Sequence, residues 1–353
     1  MKKFLVIQQK MIGDVLASST ICNTLKNEYP EAQIDYLIYP FTKAVIENNP
    51  NIDNVILFTD QIRKNKLELL KFCLDIRKAK YDIIIDAYGK IESNLIVALS
   101  GSKTKIGFHK SYTKSLYTHT FKGLSLPKTT AGLAIENRMK LLDFFALKKP
   151  LKDRPQIFLT EKEIENGKTI LEQHHIDLSK KIYMIGVLGS GITKTYPSKY
   201  MAEILDKIVL DTNASLLFNY IPSQLKEAQE VYNLCKPETQ KNIKIDIVPK
   251  SIREFLSITY HCDALIGNEG GAVNMAKALH KPTFTIFSTW IRKEAWNSFD
   301  DGVKNVSVHL KDLKPELYGS KSAKEMKNQA MNLYQAFTPD LIIPSLEEYL
   351  KSN

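Results

Sequence analysis

Short aliphatic runs that end in a glycine or an acid, each followed at once by a helical pattern, recur along this 353-residue chain and restrict it to one fold class. The first is Phe4-Leu5-Val6-Ile7, then Gln8 to Asp14, then Val15-Leu16-Ala17. Further strand patterns cover residues 34–38, 55–58, 83–86 and 104–107, with helical patterns over 14–29, 42–48, 66–79 and 93–99 between them. Such alternation predicts βαβ units and a parallel sheet. Tyr29-Pro30 stops the first long helix, because a proline ring clashes with the preceding turn. Ligands of open parallel sheets bind outside the carboxyl ends of the strands, which is where Gly13-Asp14 falls.

A helix is expected over 136–147. The run Lys148-Lys149-Pro150-Leu151-Lys152-Asp153-Arg154-Pro155 then reads as a linker, since it is charged, proline-bounded and poor in apolar residues. Two domains are therefore expected, 1–150 and 151–353, both α/β and Rossmann-like. In the second, strands are expected at 183–187, 215–219, 243–247, 264–266 and 283–287, and helices at 198–211, 224–234, 252–260 and 271–278. Residues 291–335 receive no assignment. A final helix over 341–350 has two resting places open to it, its own domain or the first one.

The chain carries 49 Lys and Arg against 39 Asp and Glu, a formal charge of +10, which favours anionic partners such as nucleotides, phosphorylated lipids or an acidic membrane face. No nucleic-acid signature accompanies the charge. Cys22, Cys73, Cys235 and Cys262 lie far apart without C-x-x-C spacing, so they read as reduced core thiols of a cytoplasmic protein. After Met1-Lys2-Lys3 the apolar run is too short for a signal peptide. No segment approaches the roughly 18 apolar residues that span a bilayer. At most, the chain is expected to rest on a membrane surface. His174 and His175 are adjacent and diverge on a helix, and no other grouping has metal-ligand spacing, so no metal is expected.

Two loops have the composition of ligand sites. Gly186 to Lys194 follows a strand, and amides of a Gly/Ser/Thr loop can cradle a phosphate, with Ser190, Thr193 and Lys194 as its polar members. It matches neither the dinucleotide nor the Walker glycine spacing. A tight structural turn is the competing reading. Gly267-Asn268-Glu269-Gly270-Gly271 opens a helix that continues through Asn274 to Leu279. The glycines permit close backbone approach, and Glu269 can accept hydrogen bonds from sugar hydroxyls. Asp14 has two readings, an N-cap or a general base. Lys105 and Lys110, with Lys103, His109, Lys114, Tyr112 and Tyr117, form a cationic stretch with aromatic interleaving; a solvated loop is the favoured reading, and the alternative is contact with an anionic acceptor or lipid surface, for which Lys105, Lys110 and Lys10 are the candidates.

Four segments together resemble glycosyltransferase family 9, the bacterial heptosyltransferases of lipopolysaccharide core assembly. They are Gly13-Asp14-Val15-Leu16, Glu136-Asn137-Arg138, Gly189 to Lys194, and Gly267 to Leu279 running into Lys281-Pro282-Thr283. The resemblance implies a GT-B architecture of two lobes facing across a cleft. It also implies an inverting, metal-independent transfer from a nucleoside-diphosphate sugar, an ADP-sugar first, to an anionic glycolipid acceptor, with no cofactor, in the cytoplasm or at the cytoplasmic face of the inner membrane. On it, Asp14 is the catalytic carboxylate. Ser190, Thr193, Lys194, Gln224, Glu269, Gly270, Gly271 and Asn274 contact the donor. Three departures touch recognition. Asn268-Glu269-Gly-Gly-x-x-Asn274 replaces the usual Asp-Thr-Gly-x-x-His, Gln8-Gln9-Lys10-Met11 replaces Arg-Leu-Ser-Ser, and Gln224 replaces an acid facing the ribose. A nucleotide-sugar epimerase of the same fold and a non-catalytic nucleotide-sugar-binding relative are the alternative readings. A Rossmann oxidoreductase lacks its glycine fingerprint here.

Overall fold

The computed structural model describes residues 1–319 and 322–353. It divides into two compact units, Met1–Phe158 and Leu159–Asn353. Each is built on a six-stranded parallel sheet.

In the first unit the strands are β1 (Lys3–Gln8), β2 (Gln33–Ile38), β3 (Asn54–Leu57), β4 (Ile83–Asp86), β5 (Thr104–Phe108) and β6 (His119–Phe121), in the order β3-β2-β1-β4-β5-β6. The order reverses beside β1, whose neighbours are β2 and β4, so the loop after β1 lies at the topological switch point. Strands β1, β2 and β4 are buried along almost their whole length, as a sheet covered on both faces requires. On one face the helices Lys66–Lys78 and Ile91–Leu99 set Cys73, Ile76, Ile96 and Val97 against Leu5, Ile7, Leu37 and Ile84. Phe4 stacks instead on Tyr29, at the end of the helix Ile12–Glu28. Strand β6 was not expected from its three residues, which carry little apolar signal.

The second unit holds β7 (Ile182–Gly186), β8 (Ser215–Phe218), β9 (Ile243–Lys244), β10 (Ala264–Asn268), β11 (Thr283–Ile286) and β12 (Asn305–Val308), in the order β12-β11-β10-β7-β8-β9. Its switch point lies between β7 and β10. The unassigned stretch 291–335 supplies the edge strand β12 and several short helices. The final helix, Pro339–Ser352, packs on the helix Ser198–Thr212 of its own unit, with Ile342, Leu346 and Tyr349 in that unit's core. Tyr349 lies 5.4 Å from Phe284 of β11, ring centre to ring centre.

Several elements are shorter than the sequence pattern suggests. The helix over 42–48 is a 3-10 turn, Pro40–Val45, and that over 136–147 is Leu133–Met139 followed by the 3-10 turn Lys140–Leu142. The run 243–247 pairs only over Ile243–Lys244, at the sheet edge. All four cysteines are buried and free. Among the described residues no helix is long and apolar enough to cross a membrane.

Gly267 carries the closest contact in the second sheet. Its φ is +132°, and a Cβ there would meet the Gly186 carbonyl oxygen at 2.4 Å. Backbone strain and overpacking each cost about 1–3 kcal/mol. Gly267→Ala is therefore expected to lower the stability of the second unit by about 3 kcal/mol. Urea unfolding followed by near-ultraviolet circular dichroism checks this, and a shift within error would show that β7 and β10 can separate freely.

Candidate functional site

Residues with ligand-binding chemistry gather at the carboxyl ends of the strands in each unit. In the first, the helix Ile12–Glu28 starts with Met11 at its N-cap position and no side-chain cap. Asp14 is the third helical residue, so the N-cap reading does not hold. Its side chain turns inward, 3% exposed, and its Oδ1 accepts from Arg138 Nη2 at 2.7 Å and from Lys10 Nζ at 3.2 Å. Burial pushes the Arg138 guanidinium below its usual value, with Asp14 opposing.

The segment Glu136-Asn137-Arg138 acts as a hub. Arg138 reaches Asp14. Asn137 Oδ1 accepts from the Leu124 amide, and the Glu136 carboxylate accepts from the Lys128 and Thr129 amides. Beside this hub, Gln8 donates to Ser18 Oγ and to the Ala87 carbonyl. Both amide atoms of fully buried Gln9 lack a hydrogen-bond partner. An unpaired buried polar group costs about 1–3 kcal/mol, which marks Gln9 as a residue to watch in a ligand complex.

The three candidate acceptor lysines are not brought to one place. Lys10 is at Asp14, and Lys110, beyond the carboxyl end of β5, donates to the Gly89 carbonyl. Lys105 sits near the amino end of β5 and caps the helix Ile91–Leu99 through the Ala98 carbonyl. Sequence proximity cannot see this separation, because a strand carries its residues apart by about 3.3 Å each.

In the second unit, Asn268 closes β10 and holds its surroundings. Its Nδ2 donates to the Gly186 and Val187 carbonyls at 2.9 and 3.0 Å, and its Oδ1 accepts from the Tyr196 amide at 2.7 Å. These bonds grip both flanks of the loop 189–195. Within the loop, a Cβ on Gly189 would meet the Lys194 carbonyl oxygen at 2.1 Å, so only glycine fits. Gln224 donates to the Gly189 carbonyl at 3.0 Å and accepts from the Ile221 amide. It braces the loop. Ser190 is exposed, and the Thr193 carbonyl accepts from Ser288 Oγ and Trp290 Nε1.

Lys194 lies 3.6 Å from Glu269 Oε1 and 5.8 Å from the Trp290 ring centre. Gly270 and Gly271 start the helix Gly271–Ala278 with no side-chain cap, and a Cβ on either would point into open space. The amides of that first turn and the Lys194 ammonium form a cationic surface around one buried acid. A pocket there is lined by Glu269, Gly270, Asn274, Lys277, Thr285 and Trp296. Glu269 Oε1 and Thr285 Oγ1 are both buried without a hydrogen-bond partner. The pocket thus offers two oxygens without a hydrogen bond, one of them ion-paired to Lys194, together with an amide, an ammonium and an indole face. That combination suits a polyhydroxylated ligand attached to an anionic group. Lys277, Thr285, Trp296 and Asn268 were not singled out from sequence. Lys277 was detectable as an i+3 partner of Asn274 on one helix face, whereas Thr285 and Trp296 join the pocket only through tertiary packing.

The sequence model of glycosyltransferase family 9 (heptosyltransferase) matches residues 69–325. Lipopolysaccharide heptosyltransferase 1 of Campylobacter coli is 23% identical over 291 residues, covering 81% of this chain and 83% of that protein. A glycosyl transferase family 9 structure from Veillonella parvula superposes with a TM-score of 0.78 at 16% identity, covering 100% of this chain and 98% of the other. The Escherichia coli ADP-heptose lps heptosyltransferase II superposes at 0.67, also at 16% identity, over 95% and 99% of the two chains. These likenesses establish the GT-B class of α/β fold.

Burial pushes the Glu269 carboxyl above the ordinary carboxylate range, against the pull of Lys194. Below about pH 4 both folded and unfolded forms hold the proton and no penalty applies. As pH rises toward the raised folded value, the unfolded chain loses its proton first and stability falls. Glu269→Gln is therefore expected to melt higher than the parent at pH 7, with the gap closing in acid. A variant that melts lower at pH 7 would show that the Lys194 pair outweighs burial.

Proposed function

The chain belongs to glycosyltransferase family 9, and on that premise we propose that it moves a heptose or related sugar from a nucleoside-diphosphate donor, an ADP-sugar first, to a lipopolysaccharide-core or related surface-glycan acceptor. The transfer inverts the anomeric centre and uses no metal. Relatives named lipopolysaccharide heptosyltransferase support the acceptor class, and the ADP-heptose enzyme of the same fold supports the nucleotide. The observation that carries the reading is the pair of buried oxygens without a hydrogen bond, Glu269 Oε1 beside the Lys194 ammonium and Thr285 Oγ1, in a pocket next to the uncapped helix start.

In this mechanism the diphosphate meets the Gly270 and Gly271 amides, Lys194, Ser190 and Thr193. The sugar hydroxyls satisfy Glu269 and Thr285, with Asn274 and Lys277 beside them. The acceptor hydroxyl attacks the anomeric carbon, Asp14 takes its proton, and the bond from that carbon to the diphosphate oxygen breaks. The leaving group's charge falls on donors already in position, an arrangement that costs no reorganisation at the moment of reaction. Both cations at Asp14 hydrogen-bond Oδ1, which leaves Oδ2 as the proton acceptor. Lys10, 47% exposed, covers the carboxylate from the solvent side. An anionic acceptor that draws Lys10 to its own phosphate uncovers the base.

Asp14→Asn keeps the shape that Arg138 packs against and removes the base. It is expected to lower kcat by about 10²–10⁴-fold while ADP affinity, measured by calorimetry, stays the same. Near-normal turnover would remove Asp14 from its role. Lys194→Ala deletes a charge-assisted contact and is expected to weaken ADP binding by about tenfold; an unchanged dissociation constant contradicts the clamp. An epimerase would convert the donor alone into its epimer, with or without release of free sugar, so the acceptor-free reaction should leave the donor unchanged apart from slow hydrolysis.

A further inference from the structure

The two units differ in charge. Met1–Phe158 holds 25 Lys and Arg against 15 Asp and Glu, and Leu159–Asn353 holds 24 against 24, so the entire excess lies in the first. Part of it surrounds an apolar surface. The helix Lys66–Lys78 is apolar on both sides. Leu69, Phe72, Cys73 and Ile76 face the sheet, while Leu67, 77% exposed, and half-exposed Leu70 and Leu74 face outward.

At 3.6 residues per turn the three outward leucines fall within an arc of about 60°. Lys71 and Lys78 flank that arc on one side, and Lys66 and Arg77 on the other. The acids Glu68 and Asp75 lie further round, beyond Lys71. The helix Ile91–Leu99 packs beside it on the same sheet face. Its outward row is Ile91, 84% exposed, then Leu95 and Ala98, with Lys90 at its start.

We propose that this two-helix face docks the first unit onto an anionic phospholipid bilayer. Leucine and isoleucine side chains enter the boundary between headgroups and acyl chains, and the flanking lysines and Arg77 extend to the phosphates. Juxtamembrane cations strengthen such binding, and a single apolar row without them binds weakly. A second copy of the chain fits the face poorly, because a two-fold contact would set Lys66, Lys71, Arg77 and Lys78 against themselves. The proposal is independent of the assignment of Asp14 and of the donor.

The test is flotation of the full-length protein with vesicles of phosphatidylcholine alone or mixed with phosphatidylglycerol. The parent is expected to float with the mixed vesicles and to release as salt is raised. The variant carrying Leu67→Gln, Leu70→Gln and Leu74→Gln is expected to lose about tenfold in partitioning with an unchanged melting temperature. Replacing Lys66, Lys71 and Lys78 by Gln should abolish the preference for phosphatidylglycerol. Leu210→Gln with Leu234→Gln, exposed leucines of the second unit, should float like the parent. Transfer to a water-soluble acceptor fragment is expected to survive the triple leucine change, which separates docking from catalysis. A parent that ignores phosphatidylglycerol, or a triple variant that floats equally well, overturns the proposal. So does a concentration-dependent dimer that the leucine changes abolish in the absence of flotation.

Discussion

The carboxyl edge of the second sheet depends on one buried amide. Asn268 ends β10, and its side chain ties that strand to the carboxyl end of β7 and to the amide of Tyr196. Only an amide both donates twice and accepts from one position; a carboxylate of the same size has no donor for the two carbonyls. Because Asn268 immediately precedes Glu269, the bonds that hold the loop 189–195 also set the position of the acid. The backbone contact of Gly267 with Gly186 brings the two strands close enough for this to work.

Charge is handled in opposite ways at the two strand edges. Glu269 is largely buried, and its Oε1 has one cation at 3.6 Å but no hydrogen-bond partner, so burial is only partly compensated there. Asp14 is buried with two cations at hydrogen-bond distance on a single oxygen. Its charge is thus compensated within the fold itself. Arg138 is the less exposed of the two partners and Lys10 the more exposed.

Much of the fold was legible because parallel strands buried on both faces read as unbroken aliphatic runs, as in β1, β4 and β7. Strands β6 and β12 escaped because edge strands carry a weak apolar signal. The 3-10 turns at Pro40–Val45 and Lys140–Leu142 have helix-like composition but end within one turn. Among the site residues, Glu269, Lys194 and Asn274 stood out because glycines announced their loops. Gln224, which the family resemblance sets opposite the donor ribose, bonds the Gly189 carbonyl and the Ile221 amide, partners that only the folded loop brings to it.

The linear order of residues was enough to determine the fold class, the strand-edge loops and the family, since periodicity, glycine placement and motif spacing are local properties. It also determined that Asp14 follows the first strand. Tertiary structure alone decided that Arg138, 124 positions away, meets Asp14, and that Thr285 and Trp296 complete a pocket with Glu269. It likewise decided that one helix buries Ile76 and leaves Leu67 in solvent. The reason is common to all three: a side chain's partners and exposure follow from which elements pack together, and a short apolar or charged residue looks the same in sequence on either side of a helix.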